Sequence, residues 1–115
     1  MTVDELVDLL ARRDVEVLAA VLDPDVVLVS DGGGLVVTPL RPVRGADAVA
    51  RIVSALVTMD SVLTVEPVNG RPGVVVRAGG VARAVILVEG GSAQVTRIWL
   101  VLNPDKLVRW HRAQD

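Results

Sequence analysis

The chain contains no cysteine, no tyrosine and no phenylalanine among its 115 residues. The absence of cysteine excludes a disulfide framework, a thiol nucleophile, an iron–sulfur cluster and every thiolate zinc site. The absence of tyrosine excludes a phenol as catalytic acid or oxyanion donor. Since two tryptophans are the only aromatic side chains, we expect an aliphatic core.

A strong charge of one sign and long apolar runs are also missing. Twelve basic and fourteen acidic residues give a formal net charge of −2, which does not favour a nucleic-acid backbone as partner. Although 51% of the residues are hydrophobic, no uninterrupted run approaches the ~20 residues of a membrane helix. The acidic start Met1–Glu5 is unlike the basic start of a signal peptide. We therefore expect one domain over residues 1–115, located in the cytoplasm.

Local patterns predict three helices. Thr2 and Glu5 have the spacing of a capping box, and Asp14 is suited to cap a second helix that ends before Pro24. A third helix is expected after Gly45. The apolar stripes that carry these predictions are Val3, Leu6, Val7 and Leu10, then Val15, Leu18, Ala19 and Leu22, then Val49, Ile52, Val53 and Leu56.

Six β-branched runs predict the strands. The first two are expected to form a hairpin around the three glycines, with Pro39 and Pro42 ending the pairing. The last four, with turns about ten residues apart, indicate an antiparallel meander. The predicted fold is α+β: a cone-shaped curved antiparallel sheet packed by three helices, whose open end would hold a small ligand. The six runs are Asp25–Asp31, Leu35–Leu40, Ser61–Val68, Val74–Arg77, Val81–Glu89 and Ala93–Leu102, and residues 106–112 follow as a helical turn or tail.

Four short stretches carry a family resemblance. They are Asp25–Leu28 with Ser30–Gly34, then Arg41–Ala46, then Asn69–Gly73, and finally Asn103–Leu107. In this order they resemble the SnoaL-like branch of the nuclear-transport-factor-2-like superfamily. The closer resemblance is to the SnoaL-like domain at the C-terminus of certain extracytoplasmic-function sigma factors of bacteria.

In that sigma family, an Asp-Gly-Gly-Gly-Lys loop and an Asn-Pro-Asp-Lys-Leu tail are associated with docking onto the sigma regions. The resemblance therefore implies a non-catalytic regulatory domain that contacts sigma-factor regions or an RNA-polymerase-associated protein. Leu35 departs from the family motif, which has Lys there. The implied contact residues are Asp31, Gly32, Gly33, Gly34 and Leu35 in the loop, and Asn103, Pro104, Asp105, Lys106 and Leu107 in the tail.

Because the 115 residues make one domain, we expect no sigma region 2 or 4 among them. The chain alone is then not expected to read a promoter or to initiate transcription. Two interpretations stay open. The chain is either an excised or separately encoded regulatory domain, or a relative that has lost the sigma context.

Asp31 also permits a catalytic interpretation. Enzymes of this superfamily use a pocket carboxylate, so the alternative is a small polyketide-cyclase or ketosteroid-isomerase-like enzyme with Asp31 as general base. The ketosteroid-isomerase-like members pair Tyr with a protonated Asp, and this chain has no Tyr. Its only histidine is His111, in the tail. We therefore favour Asp31 as a solvated strand-end residue, or as part of an ordinary Asp-Gly turn, over a catalytic one.

Arg97 and Trp99 share one face of the last predicted strand, which suits an interface or the mouth of a pocket better than a dry core. With Asp31 they are the candidate pocket for a small hydrophobic ligand, although core packing would also explain Trp99. No His, Asp or Glu pair has metal-ligand spacing, and we expect neither metal nor cofactor. If the chain is a stand-alone protein, we expect it to form a homodimer. A third interpretation is a stand-alone dimer that binds a hydrophobic metabolite and has no further function.

Overall fold

A curved mixed sheet with helices packed on it forms the fold. The computed structural model describes residues 2–32, 41–90 and 94–112. The helices are α1 (Val3–Ala11), α2 (Val15–Val21), α3 (Ala46–Ser54) and α4 (Pro104–Leu107), and a 3₁₀ turn follows at Val108–Trp110. The strands are β1 (Leu22–Asp31), β2 (Val43–Arg44), β3 (Val62–Val68), β4 (Arg71–Ala78), β5 (Val81–Gly90) and β6 (Val95–Val101).

The strand order is β2-β1-β6-β5-β4-β3. Strands β3 to β6 form the predicted antiparallel meander. Strand β1 lies beside β6 and runs parallel to it, with Leu28 next to Ile98. The α+β prediction with a curved sheet and three packing helices is confirmed, but the sheet is mixed rather than wholly antiparallel. This pairing joins strands at opposite ends of the chain, so no local pattern could predict it.

The helix starts follow the predicted capping chemistry. The Thr2 hydroxyl accepts the amide of Glu5 at 3.1 Å, and the Glu5 carboxylate accepts the amide of Thr2 at 3.2 Å, which confirms the capping box. Asp14 caps α2 by accepting two backbone amides. Each bond satisfies a donor that the first turn of a helix leaves free. Helix α2 ends before Pro24, and β1 begins at Leu22.

The structure tests the first predicted hairpin only in the part that follows Pro42. Its second strand, Leu35–Leu40, lies outside the described residues, so the predicted pairing is not tested there. Within the described ranges, β1 pairs antiparallel with β2, which begins just after Pro42. We predicted that Pro42 ends the pairing, and this is wrong because a proline before a strand withholds only its own N–H group.

The turn between β3 and β4 is shorter than the five residues predicted. It is the two-residue turn Asn69-Gly70, with φ of 50° and 81°. Two successive positive φ angles match the right-handed twist of a hairpin, and Asn-Gly is the pair that adopts them most readily. Strand β4 therefore begins at Arg71, three residues earlier than predicted.

The two faces of the sheet are covered differently. The inner face packs against α1, α2 and α3, and its core is entirely aliphatic. The outer face is covered in part by the C-terminal segment, through Leu107 and Trp110. Buried inner-face residues are Val26, Leu28, Val74, Val76, Ala84, Ile86, Val95, Ile98 and Leu100, and the outer-face cluster is Val68, Val75, Ala82, Val85 and Leu107. None of the helices in the described part of the chain is long and apolar enough to span a bilayer.

Candidate functional site

The two segments implied by the family resemblance meet on the outer face. Asp31 ends β1 and Lys106 lies in α4, and their carboxylate and ammonium groups are 2.5 Å apart. The backbone carbonyl of Asp31 also accepts the amide of Leu102 at 2.7 Å, which holds the end of β1 to the chain leaving β6. The fold thus joins two motifs whose key residues are 75 positions apart.

Within the tail motif, three residues build α4 and leave Lys106 facing solvent. The Asn103 side chain accepts the amide of Asp105 at 3.1 Å, and Pro104 occupies the start of the helix. Proline is favoured there because its missing N–H would have no partner. Leu107 is buried in the outer-face cluster. The side chain of Lys106 is 62% exposed.

In the loop motif, the Asp31 side chain is 38% exposed and Gly32 is buried. Gly33, Gly34 and Leu35 lie outside the described residues. The predicted contact roles of the loop and tail residues remain predictions. The structure adds that Asp31 and Lys106 are presented together.

Asp31 lies on the outer face, away from the aliphatic space between the sheet and its three helices. Its carboxylate is paired with Lys106. The single histidine, His111, accepts the amide of Ala82 through Nδ1 at 2.9 Å, in the C-terminal segment. Across the three described ranges, no group of three His, Asp or Glu residues could hold a metal ion.

Two of the three predicted pocket residues line one cleft of about 430 Å³ on the outer face, and the third, Arg97, lies over the Trp99 ring. Asp31 and Trp99 line it, and the guanidinium of Arg97 is 5.4 Å from the centroid of the Trp99 ring. The indole N–H of Trp99 donates to Glu89 at 3.3 Å, and Glu89 pairs with Arg71 at 3.6 Å. Aliphatic side chains of Val29, Leu87 and Val101 complete the cleft. A ligand in this cleft remains a prediction.

A second cleft of about 460 Å³ adjoins the first and shares Val101 with it. Its walls are the sheet and the C-terminal segment, and they include Lys106. Here the guanidinium of Arg109 is 5.4 Å from the centroid of the Trp110 ring. We call the two clefts together the outer groove. Val68 and Val85 lie on its apolar floor in this half.

Five residues fasten the C-terminal segment to the sheet, and we call them the clasp. Arg77 donates through Nε to the Trp110 carbonyl at 2.7 Å and through Nη1 to Thr64 at 2.9 Å, and its other Nη lies 2.6 Å from Glu66. Arg112 contacts the second oxygen of Glu66 at 2.5 Å. Arg77 is only 6% exposed, so its charge depends on these partners. The clasp thereby fixes one wall of the outer groove.

The electrostatics of the clasp are visible in Glu66. Burial alone raises the pKa of its carboxyl group. The hydrogen bonds from Thr64 and Arg77 and the charges of Arg77 and Arg112 outweigh burial and hold this pKa below its ordinary value. Glu66 is therefore ionised and charge-paired at neutral pH.

Sequence reasoning missed the clasp, although β4 contains a signal for it. Val74, Val75, Val76 and Arg77 are buried in succession, so both faces of this strand are covered. A strand with an unbroken apolar run is typical of a sheet covered on both sides. With the helices on one side, the C-terminal segment with Trp110 was the remaining candidate for the other.

No family model matches the chain, and no curated protein matches it. Solved structures do. The extracytoplasmic function sigma factor SigJ of Mycobacterium tuberculosis matches at a TM-score of 0.66 and 26% identity, over 90% of this chain and 42% of SigJ. A steroid delta-isomerase from Pseudomonas aeruginosa matches at 0.61 and 20% identity, over 93% of this chain and 80% of the isomerase. The design Rd1NTF2_05 with long sheet matches at 0.56 and 16% identity, over 84% and 90%.

The chain has the SnoaL-like, nuclear-transport-factor-2-like fold. The family resemblance predicted from its four motifs is confirmed. The isomerase and the design, both below 25% identity, show this fold alone. The chain spans less than half the length of SigJ, so what SigJ does as a whole protein comes to this SnoaL-like chain only as a proposal.

Proposed function

We propose that this SnoaL-like chain is a non-catalytic regulatory domain that acts by contact with sigma-factor regions or an RNA-polymerase-associated protein. The observation that carries the proposal is the Asp31–Lys106 pair, which unites the two motifs associated with docking in the resembling family. A domain with this role works in the cytoplasm, where transcription takes place. The structural similarity to part of the sigma factor SigJ also supports this proposed role.

The geometry suits a protein contact because both charges are accessible and neighbour an apolar floor. Lys106 is the single lysine of the chain, and Asp31 is its partner. Exposed pairs of this kind add little to stability, and a partner's charges can complement either member. Val101, between the two clefts, lies in the register position beside Asp31. The contact would thus combine an ion pair at its rim with apolar area beneath it.

The test is a binding titration against the part of SigJ that lies outside the matched portion. We expect the wild-type chain to bind that fragment, and Asp31→Asn and Lys106→Gln each to weaken binding by roughly ten-fold, the effect of losing one charged hydrogen bond. The matched control is Asp8→Asn, because Asp8 is an exposed carboxylate on α1. Unchanged affinity of both groove variants, with binding intact, would refute the assignment of this surface.

Sedimentation of the chain alone, in the same buffers, tests the homodimer predicted for a stand-alone protein. A steady monomer at micromolar concentration would contradict that prediction.

Addition of small hydrophobic ligands during the titration tests the cleft beside Trp99. A ligand held there is expected to change the tryptophan emission, since the cleft contains one of only two indoles.

A further inference from the structure

All aromatic side chains of the protein line the outer groove. The chain has two tryptophans and neither tyrosine nor phenylalanine. Trp99 lines one half of the groove and Trp110 the other, and each indole has an arginine guanidinium 5.4 Å from its ring centroid. Tryptophan and arginine are among the residues most enriched at the energetic centres of protein interfaces. The groove therefore has a matched pair of anchors, one in each half.

The charges of the groove leave these two arginines available. Two of its cations are neutralised inside the chain, in the pairs Arg71–Glu89 and Lys106–Asp31. Within the ranges that the structure describes, Arg97 and Arg109 form no ion pair. The acid left over is Asp105, so the lining residues together with Arg97, which lies over the Trp99 ring, have an excess of one positive charge although the chain has a net charge of −2. An arginine stacked on an indole keeps the guanidinium N–H groups at its edge for a carboxylate.

The floor of the groove determines the backbone form of its occupant. Leu87 and Val85 project from β5, and Val101 projects from β6. Both strands are interior to the sheet: Val85 and Val101 have a paired strand on each side, and Leu87 is paired with Trp99 of β6. An extended peptide would find no main-chain partners here, whereas a helix satisfies its own backbone and needs only an apolar stripe.

We propose that the outer groove binds an amphipathic helix of a protein partner, with acidic residues at both ends of its apolar stripe. The stripe packs on the aliphatic floor, and the two carboxylates meet Arg97 and Arg109. This inference rests on the proposed function, because it names the element through which a regulated partner is held. It assigns to the groove a partner chemistry that the Asp31–Lys106 pair alone does not specify.

The test uses synthetic helical peptides of about 18 residues without tryptophan, so that all indole emission comes from the protein. One peptide has glutamates at both ends of a leucine stripe, a second has lysines there, and a third has the acidic composition broken by prolines. We expect the acidic helix to shift the emission and to bind at least ten-fold more tightly than the other two. The variants Trp99→Phe and Trp110→Phe should each retain part of the shift.

Arg97→Gln and Arg109→Gln are each expected to weaken the acidic peptide roughly ten-fold, the effect of one charged hydrogen bond. The control Arg51→Gln removes an exposed arginine from α3, on the other side of the sheet, and should leave binding unchanged. Equal affinity for the lysine-ended peptide, tighter binding of the proline-broken one, or a concentration-dependent shift without peptide would each overturn the proposal. The last outcome would assign the groove to a second copy of the chain.

Failure of this inference can be told apart from failure of the proposed function. If the SigJ fragment binds and Asp31→Asn weakens it, while no peptide binds, the regulatory contact stands and the helix assignment is wrong. If the acidic peptide binds as expected and the SigJ fragment does not, the groove chemistry stands and the sigma partner is wrong.

Discussion

On the inner side of β5 and β6, alternate residues are Ile86, Ile98 and Leu100, and each is at most 1% exposed. On the outer side of the same strands, the alternate residues include Leu87, Glu89 and Trp99, which are half-buried or exposed, and the Trp99 indole donates to Glu89. The period-2 geometry of a strand lets one sequence serve both purposes. The inner face stabilises the fold, and the outer face carries the groups that can recognise a partner.

This contrast bears on the prediction of a small-ligand pocket at the open end of a cone, because the residues predicted to line that pocket do not face the inner side of the sheet. Three helices cover the inner face with aliphatic side chains, and the polar candidates Asp31, Arg97 and Trp99 all project from the outer face. A steroid delta-isomerase has the same fold, and a fold does not specify a function. Function has to be argued from the face on which the chemistry lies.

The largest effect is expected from a cavity in the inner face. Ile98→Ala should lower the free energy of unfolding by about 2–5 kcal/mol, because the surrounding side chains cannot fill the space. Leu87→Ala, a similar truncation on the outer face, should cost only about 1 kcal/mol since Leu87 is half-buried. Urea denaturation followed by tryptophan emission measures both. Equal losses for the two variants would remove the distinction between the faces.

For binding of the acidic helix, we expect the opposite order of effects: Leu87→Ala should have the larger effect and Ile98→Ala the smaller. Leu87→Ala removes part of the groove floor and should weaken the acidic helix, while folded Ile98→Ala should bind as the wild type does. A comparison of the two variants at a temperature where both are folded checks this. Loss of binding by both would mean that affinity follows stability rather than the outer face.

A smaller effect is expected from the clasp, which fastens the C-terminal segment to the outer face. Glu66→Gln removes a charge that Arg77 and Arg112 both contact, and should cost about 1.5–3 kcal/mol, the range for hydrogen bonds to charged groups. Because the pKa of Glu66 is lowered in the folded protein, the unfolded state binds the proton more readily. Its contribution is therefore complete above the ordinary pKa of 4.5 and is lost as the pH falls through the lower folded pKa.

The measurement is unfolding free energy against pH from 7 downwards, for wild type and Glu66→Gln. We expect the difference between the two to shrink as the medium becomes acidic, since both side chains are then neutral. Glu16→Gln is the control, because Glu16 is an exposed carboxylate on α2. A difference that stays constant down to the acid transition would show that the clasp acts by packing and not by charge.

The sequence could predict what depends on neighbours along the chain. The capping box at Thr2, the helix stripe after Gly45 and the four-strand meander rest on interactions within a few residues, and the structure confirms them. The parallel pairing of β1 with β6 joins strands from opposite ends of the chain. Local propensity carries no information about such a distant pairing.

For the candidate site too, the features that depend on local sequence could be predicted, and those that depend on the strand order could not. The motifs identified Asp31 and Lys106 separately, and the shared face of Arg97 and Trp99 followed from strand alternation. Their convergence could not be predicted, because it needs the order of the strands and the position of α4. The unbroken apolar run Val74–Val76 was a local sign that both faces of β4 are covered, but Glu66, the partner of Arg77, lies on the neighbouring strand and could be identified only once the register was known.

The smallest stability effect is expected from the Asp31–Lys106 pair, which sharpens the comparison between the two ion-pair systems of the outer face. Both side chains are more than one-third exposed, at 38% and 62%, so solvent screens their attraction. Lys106→Gln should therefore change the free energy of unfolding by less than about 1 kcal/mol, and that change should fade in high salt. Urea denaturation at low and high sodium chloride checks this. A loss as large as that of Glu66→Gln would make the pair a structural fastening like the clasp, whereas a small loss joined to weakened partner binding fits two charges kept accessible for recognition.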